Sequence, residues 1–114
     1  MTAEPSGPVT IRQLQRATFP AYALLAGIQL ELFSALATGP KCVPDLAGEL
    51  ALDAEKLQIL MYALATTGLL SVENGHFSNS PEAQTFLVKG GPDYLGEEFE
   101  AFLDRWARLA KTAE

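Results

Sequence analysis

Between residues 9 and 37 apolar side chains recur at helical spacing, and they crowd together toward the end of that stretch. Residues 19–37 hold Tyr22, Leu24, Leu25, Ile28, Leu30, Leu32, Phe33 and Leu36, against Gln29, Glu31 and Ser34 as polar members. A helix that is apolar on most sides is buried on most sides. In so short a chain the pattern predicts that a second subunit supplies that burial. Pro20 removes a backbone donor and predicts a break or kink, and Gly39-Pro40 ends the segment.

The pattern then shortens. Leu46, Ala47 and Leu50 mark one face of a helix over residues 44–50, with Pro44 suited to its first turn. Asp53 is a good N-cap, and Gly68 is the expected C′ residue of the helix between them. Leu57, Leu60, Met61 and Leu64 give that helix one core-facing stripe at i, i+3, i+4 and i+7. Two strand-like runs follow around Asn74-Gly75, a pair that favours a two-residue type I′ turn because both positions require φ > 0.

Ser80-Pro81 opens a short helix to about residue 88, and Gly90-Gly91-Pro92 is a loop. A final helix is expected over residues 93–112. In it Leu95, Phe99, Phe102, Trp106 and Leu109 are spaced 4, 3, 4, 3, as in a helix-packing seam. Helix, turn, helix, hairpin is the order of a winged helix-turn-helix. The expected fold is therefore mainly α with a small β-hairpin, plus N- and C-terminal helices for dimerisation. Its expected organisation is a flexible lead-in over residues 1–8, a winged-helix unit over 9–90, and a dimerisation or linker helix over 91–114.

Charge decides whether this winged helix reads DNA. The chain carries 8 Lys and Arg against 14 Asp and Glu, a net charge of −6. Between residues 43 and 88 Lys56 is the single cation, facing Asp45, Glu49, Asp53, Glu55, Glu73 and Glu82. The outward face of the second helix should present Glu55, Gln58, Ile59, Tyr62 and Thr66. A groove-reading helix needs donors for base edges and cations for phosphate. An acidic face repels phosphate, so nucleic acid is not the expected partner.

Other chemistry is sparse. Cys42 is the one cysteine, so neither a disulfide within the chain nor a thiolate metal cluster can form. A lone thiol without a histidine partner is expected to be a bystander, even with Lys41 beside it. His76 is the one histidine and lies beside the hairpin turn, where a surface position is expected. Glu97, Glu98 and Glu100 suggest metal or acid–base chemistry less than first-turn acids facing a helix dipole. The start of the chain lacks the basic and apolar regions of a signal peptide. The apolar run over residues 19–28 is about half of the ~20 needed to span a bilayer. A cytoplasmic protein outside the membrane is expected.

Several segments in this order resemble a known family. Glu31-Leu32-Phe33-Ser34-Ala35-Leu36-Ala37-Thr38-Gly39-Pro40 is similar to the "lglfdaLa.GP" segment of small-molecule O-methyltransferases that use S-adenosylmethionine. The similarity continues through Asp45-Leu46-Ala47 and the pattern Leu57, Leu60, Leu64-Ala65-Thr66-Thr67-Gly68-Leu69-Leu70. It runs on through Asn74-Gly75-His76-Phe77-Ser78-Asn79-Ser80 and Gly91-Pro92-Asp93-Tyr94-Leu95-Gly96, about residues 14–109 in all. The resemblance implies an N-terminal dimerisation domain, a winged helix that no longer binds DNA and exchanges helices with a second copy.

The resemblance further implies a homodimer interface that includes Leu14, Tyr22, Leu25, Ile28, Leu32, Phe99, Phe102, Trp106 and Leu109. By position Thr18, Phe19 and Tyr22 are candidates to line part of an acceptor pocket, or else plain interface residues. The family's Rossmann-like catalytic domain, with its glycine-rich cofactor loop, has no counterpart here. S-adenosylmethionine is expected for that domain and no cofactor for this chain; His76 does not match the catalytic histidine found there. The last helix reaches residue 114 without a stop signal, as expected of a chain entering a catalytic domain. The expected function is association and pocket completion for a methyltransferase of phenolic or polyketide-like compounds. Two alternatives stand beside it: a DNA-binding winged-helix regulator, and a stand-alone small-molecule-binding dimer with a pocket of Phe19, Tyr22 and Phe33.

Overall fold

A computed structural model describes residues 7–114; the expected lead-in over residues 1–8 falls outside them apart from Gly7 and Pro8. Helix α1 spans Val9–Gln29 and passes through Pro20 as one helix rather than two. The missing donor at Pro20 is tolerated because residues 9–20 are all exposed. Water can therefore take the place of the lost backbone bond.

The helix expected to run on to residue 37 stops much earlier. The Leu30 N–H bonds back to the Ala26 carbonyl and the Glu31 N–H to that of Ile28, and Glu31 turns left-handed at φ 58°. A one-turn helix α2, Leu32–Ala35, leaves in a new direction. The run that reads as apolar on every side is two elements at an angle, each with one inward face. Ile28, Leu32, Phe33 and Leu36 consequently lie in this chain's own core, between 0% and 4% exposed. Burial of these four is intrachain, not the work of a partner as the pattern predicted, whereas Phe19, Tyr22 and Leu30 of the same run stay exposed.

The two-residue strand β1, Lys41–Cys42, leads into α3, Val43–Leu50, with Pro44 in its first turn. Helix α4, Ala54–Thr67, begins on the expected cap, with Asp53 Oδ1 accepting the Lys56 N–H at 3.0 Å. It ends at Gly68 with φ 88°. Leu57, Met61 and Leu64 are buried and Leu60 half-buried, so the stripe faces inward as expected.

Strands β2, Leu70–Glu73, and β3, His76–Asn79, form the hairpin. Its turn has φ 53° at Asn74 and 76° at Gly75, the pair of positive values a type I′ turn requires. Strand β1 adds antiparallel to β3, Lys41 opposite Phe77, giving a sheet in the order β1-β3-β2. Helix α5, Pro81–Phe86, is capped by Ser80 Oγ, which accepts the Ala83 N–H at 3.1 Å. The core joins Ile28, α2 and the inner faces of α3 and α4 to Leu70, Phe77, Ala83 and Leu87. Full burial of a side chain the size of Phe33 or Phe77 contributes about 1.5–3 kcal/mol.

The final helix is shorter than its pattern and divided: α6, Gly96–Ala107, and α7, Leu109–Ala113, meet at Arg108. It starts at Gly96, which is buried with the Tyr94 ring lying where a β-carbon would sit. The Leu95 N–H donates to the Phe86 carbonyl at 2.8 Å, tying the start of α6 to the end of α5. The architecture is a mainly helical winged helix with a small antiparallel sheet.

Candidate functional site

The apolar surface that the core leaves uncovered is concentrated on the two terminal helices. On α1, Val9, Ile11, Leu14, Phe19 and Tyr22 are all more than half exposed. On α6 and α7, Phe102, Trp106 and Leu109 are about half exposed. Scattered apolar surface is ordinary; a continuous patch marks an interaction site. The first twelve residues of α1 project as an arm with two faces. Ile11, Leu14, Thr18 and Tyr22 follow i, i+3, i+7, i+11 on one side, while Val9, Arg12 and Arg16 share another at i, i+3, i+7.

The residues expected at the interface divide into three groups. Leu14, at 67% exposure, stands free with Tyr22, Phe102, Trp106 and Leu109. Leu25 and Phe99 are half-buried, and Phe99 packs against the core. Ile28 and Leu32, at 4% and 0%, are corrected to core residues, because the turn at Glu31 folds them against their own chain.

Thr18, Phe19 and Tyr22 do not converge on one pocket within a single copy. The Thr18 hydroxyl donates to the Gln15 carbonyl at 2.6 Å. Phe19 flanks a cleft of about 340 Å³ shared with Ala23 of α1 and with Ala63, Thr66 and Thr67 of α4. Tyr22 lies along a different cleft, about 300 Å³, with Leu25, Gln29, Glu100, Leu103 and Asp104. Phe33 is fully buried, so the pocket of Phe19, Tyr22 and Phe33 imagined for a stand-alone binding dimer does not form.

A third cleft was not foreseen in the sequence. It measures about 360 Å³ and lies where α1, α5 and α6 meet, lined by Leu24, Leu69, Phe86, Leu87, Leu95, Phe99 and Phe102. Glu82 and Glu98 are its two ionisable members. The signal was present as Phe86 and the α6 aromatics, but their meeting depends on the loop over residues 88–95, whose path the pattern does not predict.

The face that would enter a DNA groove carries Glu55, Gln58, Ile59, Tyr62 and Thr66, all exposed as expected. The Tyr62 ring meets the buried Phe77 edge-on, centroids 5.1 Å apart, so α4 braces the wing. Lys41, the cation just before this region, is paired with Glu49 at 2.9 Å. His76 is exposed with Nδ1 3.0 Å from the Asn74 carbonyl oxygen, and Cys42 is half-buried at the start of α3. Among the described residues no group of three His, Cys, Asp or Glu is placed to hold a metal ion, and no helix is long and apolar enough to cross a membrane. Glu97 and Glu98 occupy the first turn of α6, facing its dipole as expected, while Glu100 falls in the second turn. Tyr94 titrates above the usual tyrosine range: burial raises it most and nearby glutamates add to this, against the opposing charge of Lys89.

Comparison with known proteins places this geometry. A family model described as the O-methyltransferase dimerisation domain matches residues 13–89. The chain is 35% identical over 100 residues to the N,N-dimethyltransferase OxyT of Streptomyces rimosus, covering 84% of this chain and 29% of that protein. It is 34% identical over 89 residues to the 3-hydroxy-5-methyl-1-naphthoate 3-O-methyltransferase of Streptomyces sahachiroi, covering 78% of this chain and 26% of that enzyme. An O-methyltransferase family protein from Burkholderia thailandensis has a solved structure that matches 96% of this chain and 33% of its own, with TM-score 0.76 and 28% identity. The chain thus spans about a third or less of the proteins it matches. A winged helix with an acidic reading face, terminal helices left uncovered and a family match across most of its length leads to one assignment: this chain belongs to the O-methyltransferase dimerisation domain family.

Proposed function

We propose that this chain pairs with a second copy by exchanging α1, and that it is the association module of a methyltransferase. That enzyme uses S-adenosylmethionine and acts on a small phenolic or polyketide-like compound. The observation that carries the reading is the uncovered arm. A compact domain of this length has a radius of gyration of about 13 Å, whereas this chain measures 17.1 Å with extents of 58 × 34 × 25 Å. An arm with Ile11 and Leu14 two-thirds exposed has no core of its own. Covering such surface is the chief driving force for association.

In this reading Leu14, Tyr22, Leu25, Phe99, Phe102, Trp106 and Leu109 form the interface, and Thr18, Phe19 and Tyr22 reach the partner's acceptor pocket. Phe19 and Tyr22 diverge within one copy, which suits side chains that work on another. The interface would bury roughly 2,000 Å² or more, the obligate class. The acceptor class is drawn from the relatives, one a 3-hydroxy-5-methyl-1-naphthoate 3-O-methyltransferase and another a tetracenomycin polyketide synthesis 8-O-methyl transferase.

The chain's own residues do not fit S-adenosylmethionine. Its three described strands are antiparallel and joined to no glycine-rich turn entering a helix, whereas a Rossmann-like site needs a parallel strand, that turn and a helix N-terminus. The module's contribution is geometric: it holds two catalytic units in fixed relation. Sedimentation equilibrium tests the proposal. A dimer persisting at micromolar concentration is expected, and a folded monomer at high micromolar concentration refutes it.

A further inference from the structure

The cleft between α1, α5 and α6 joins an aromatic floor to two carboxylates. Phe86, Phe99 and Phe102 line it beside Leu24, with Glu82 and Glu98 among its walls. Neither glutamate is in an ion pair with any described residue; the two pairs recorded are Lys41–Glu49 and Asp104–Arg108. Such a site suits a guanidinium, whose plane stacks on aromatic rings, whose stem covers apolar surface and whose charge meets carboxylate. The acidic character continues along the first half of α6 through Glu97 and Glu100, before Asp104, which is paired with Arg108, and Arg105.

The complementary surface is on the same chain. Residues 7–20 carry Arg12 and Arg16 and no acid. Arg12 donates to the neighbouring Gln15 side chain at 3.0 Å, and no described carboxylate lies within ion-pair distance of either arginine. One turn apart, they are about 6 Å from each other along the helix. The arm cannot deliver them to its own cleft. Leu24 of the same helix lines that cleft, and Arg12 and Arg16 lie twelve and eight residues away, about 18 and 12 Å along a helix that does not double back.

We propose that the occupant of this cleft is the α1 arm of a second copy, seated through Val9, Arg12 and Arg16, with the guanidiniums against Glu82 and Glu98 and their stems on the phenylalanines. The inference rests on the homodimer proposed above and adds its register and its electrostatic character. Each copy has one arm and one cleft, so two reciprocal insertions close a two-fold pair with nothing left over. The Ile11, Leu14, Thr18 and Tyr22 side of the arm stays available for the remaining interface and the acceptor. Association should accordingly weaken as salt screens the four charge contacts.

Charge reversal tests this by sedimentation of the full chain at low and high salt. Arg12→Glu with Arg16→Glu should weaken self-association on the order of tenfold at low salt, and Glu82→Arg with Glu98→Arg similarly. Combining all four substitutions should restore most of the loss, because the pairs are re-formed with their signs exchanged. Circular dichroism checks folding, and should a reversed variant unfold, the Arg→Gln and Glu→Gln versions take its place with smaller losses expected. A dimer whose affinity ignores both reversals, or one weakened by each with no recovery in the fourfold variant, overturns the register while leaving the dimer intact. A wild-type chain that stays monomeric removes the dimer itself.

Discussion

Gly27 lies where α1 crosses the core, and its replacement by alanine sets two effects against each other. Alanine in a helix interior is worth about 0.5–1 kcal/mol over glycine. Here the added methyl would sit 2.9 Å from Phe33 Cε2 and 3.2 Å from both Phe33 Cζ and Leu64 Cδ1. Phe33 and Leu64 are each 0% exposed, so neither has empty space to retreat into. Overpacking a filled core costs about 1–3 kcal/mol. Because two fixed neighbours are struck at once, the upper part of that range applies, leaving a net loss of about 1–2 kcal/mol. For a domain of this size that lowers Tm by roughly 4–8 °C. Gly48 supplies the control: it is exposed in α3 with nothing within 4 Å of its would-be β-carbon. Gly48→Ala should therefore raise stability by about 0.5–1 kcal/mol. Urea and thermal unfolding should be compared at one fixed protein concentration, since self-association moves the midpoint. If Gly27→Ala proves as stabilising as Gly48→Ala, the close approach of α1 to Phe33 is wrong.

Three further outcomes follow from single contacts. Asn79 Nδ2 donates to the Phe33 carbonyl at 2.9 Å and to Gln84 Oε1 at 2.8 Å, bridging wing, α2 and α5; Asn79→Ala should cost about 1–3 kcal/mol in urea unfolding, and an unchanged midpoint would show the bridge is idle. Asp53→Ala removes the α4 cap and should cost about 1 kcal/mol, whereas Asp53→Asn, which can still accept the Lys56 N–H, should lose far less. Tyr94 titrates above its ordinary value of 10.0 because the fold favours its neutral form; its stabilising contribution is complete below that pH and fades as alkali carries the solution through the raised value, so Tyr94→Phe should flatten the alkaline limb of a stability–pH curve.

Local chemistry was legible in the sequence. Asp53 and Gly68 bounded α4, Ser80-Pro81 opened α5, and Asn74-Gly75 turned the hairpin, each through a backbone requirement carried by the residue itself. Direction changes without such residues were not. Leu30 and Glu31 include neither glycine nor proline, so the break between α1 and α2 leaves no mark in the sequence, and Ile28 and Leu32, expected at an interface, and Phe33, expected in a pocket, lie in the chain's own core. Strand β1 is two residues long, too short for alternation to register, and exists because β3 offers it a free edge. The interruption at Arg108 falls inside an unbroken 4, 3 spacing. On the arm, Leu14 and Tyr22 are exposed because a single helix presents them without a covering element. The aromatic cleft did not, since it requires α5 and α6 to be brought together by a loop.

The protruding first half of α1 also bears on turnover. Unpaired, a copy offers the twelve exposed residues 9–20 to proteases, with Arg12 and Arg16 as trypsin-type cleavage positions. Once docked, the same peptide bonds would be shielded, so the lifetime of the polypeptide would depend on finding its mate, and unmatched copies would be cleared first.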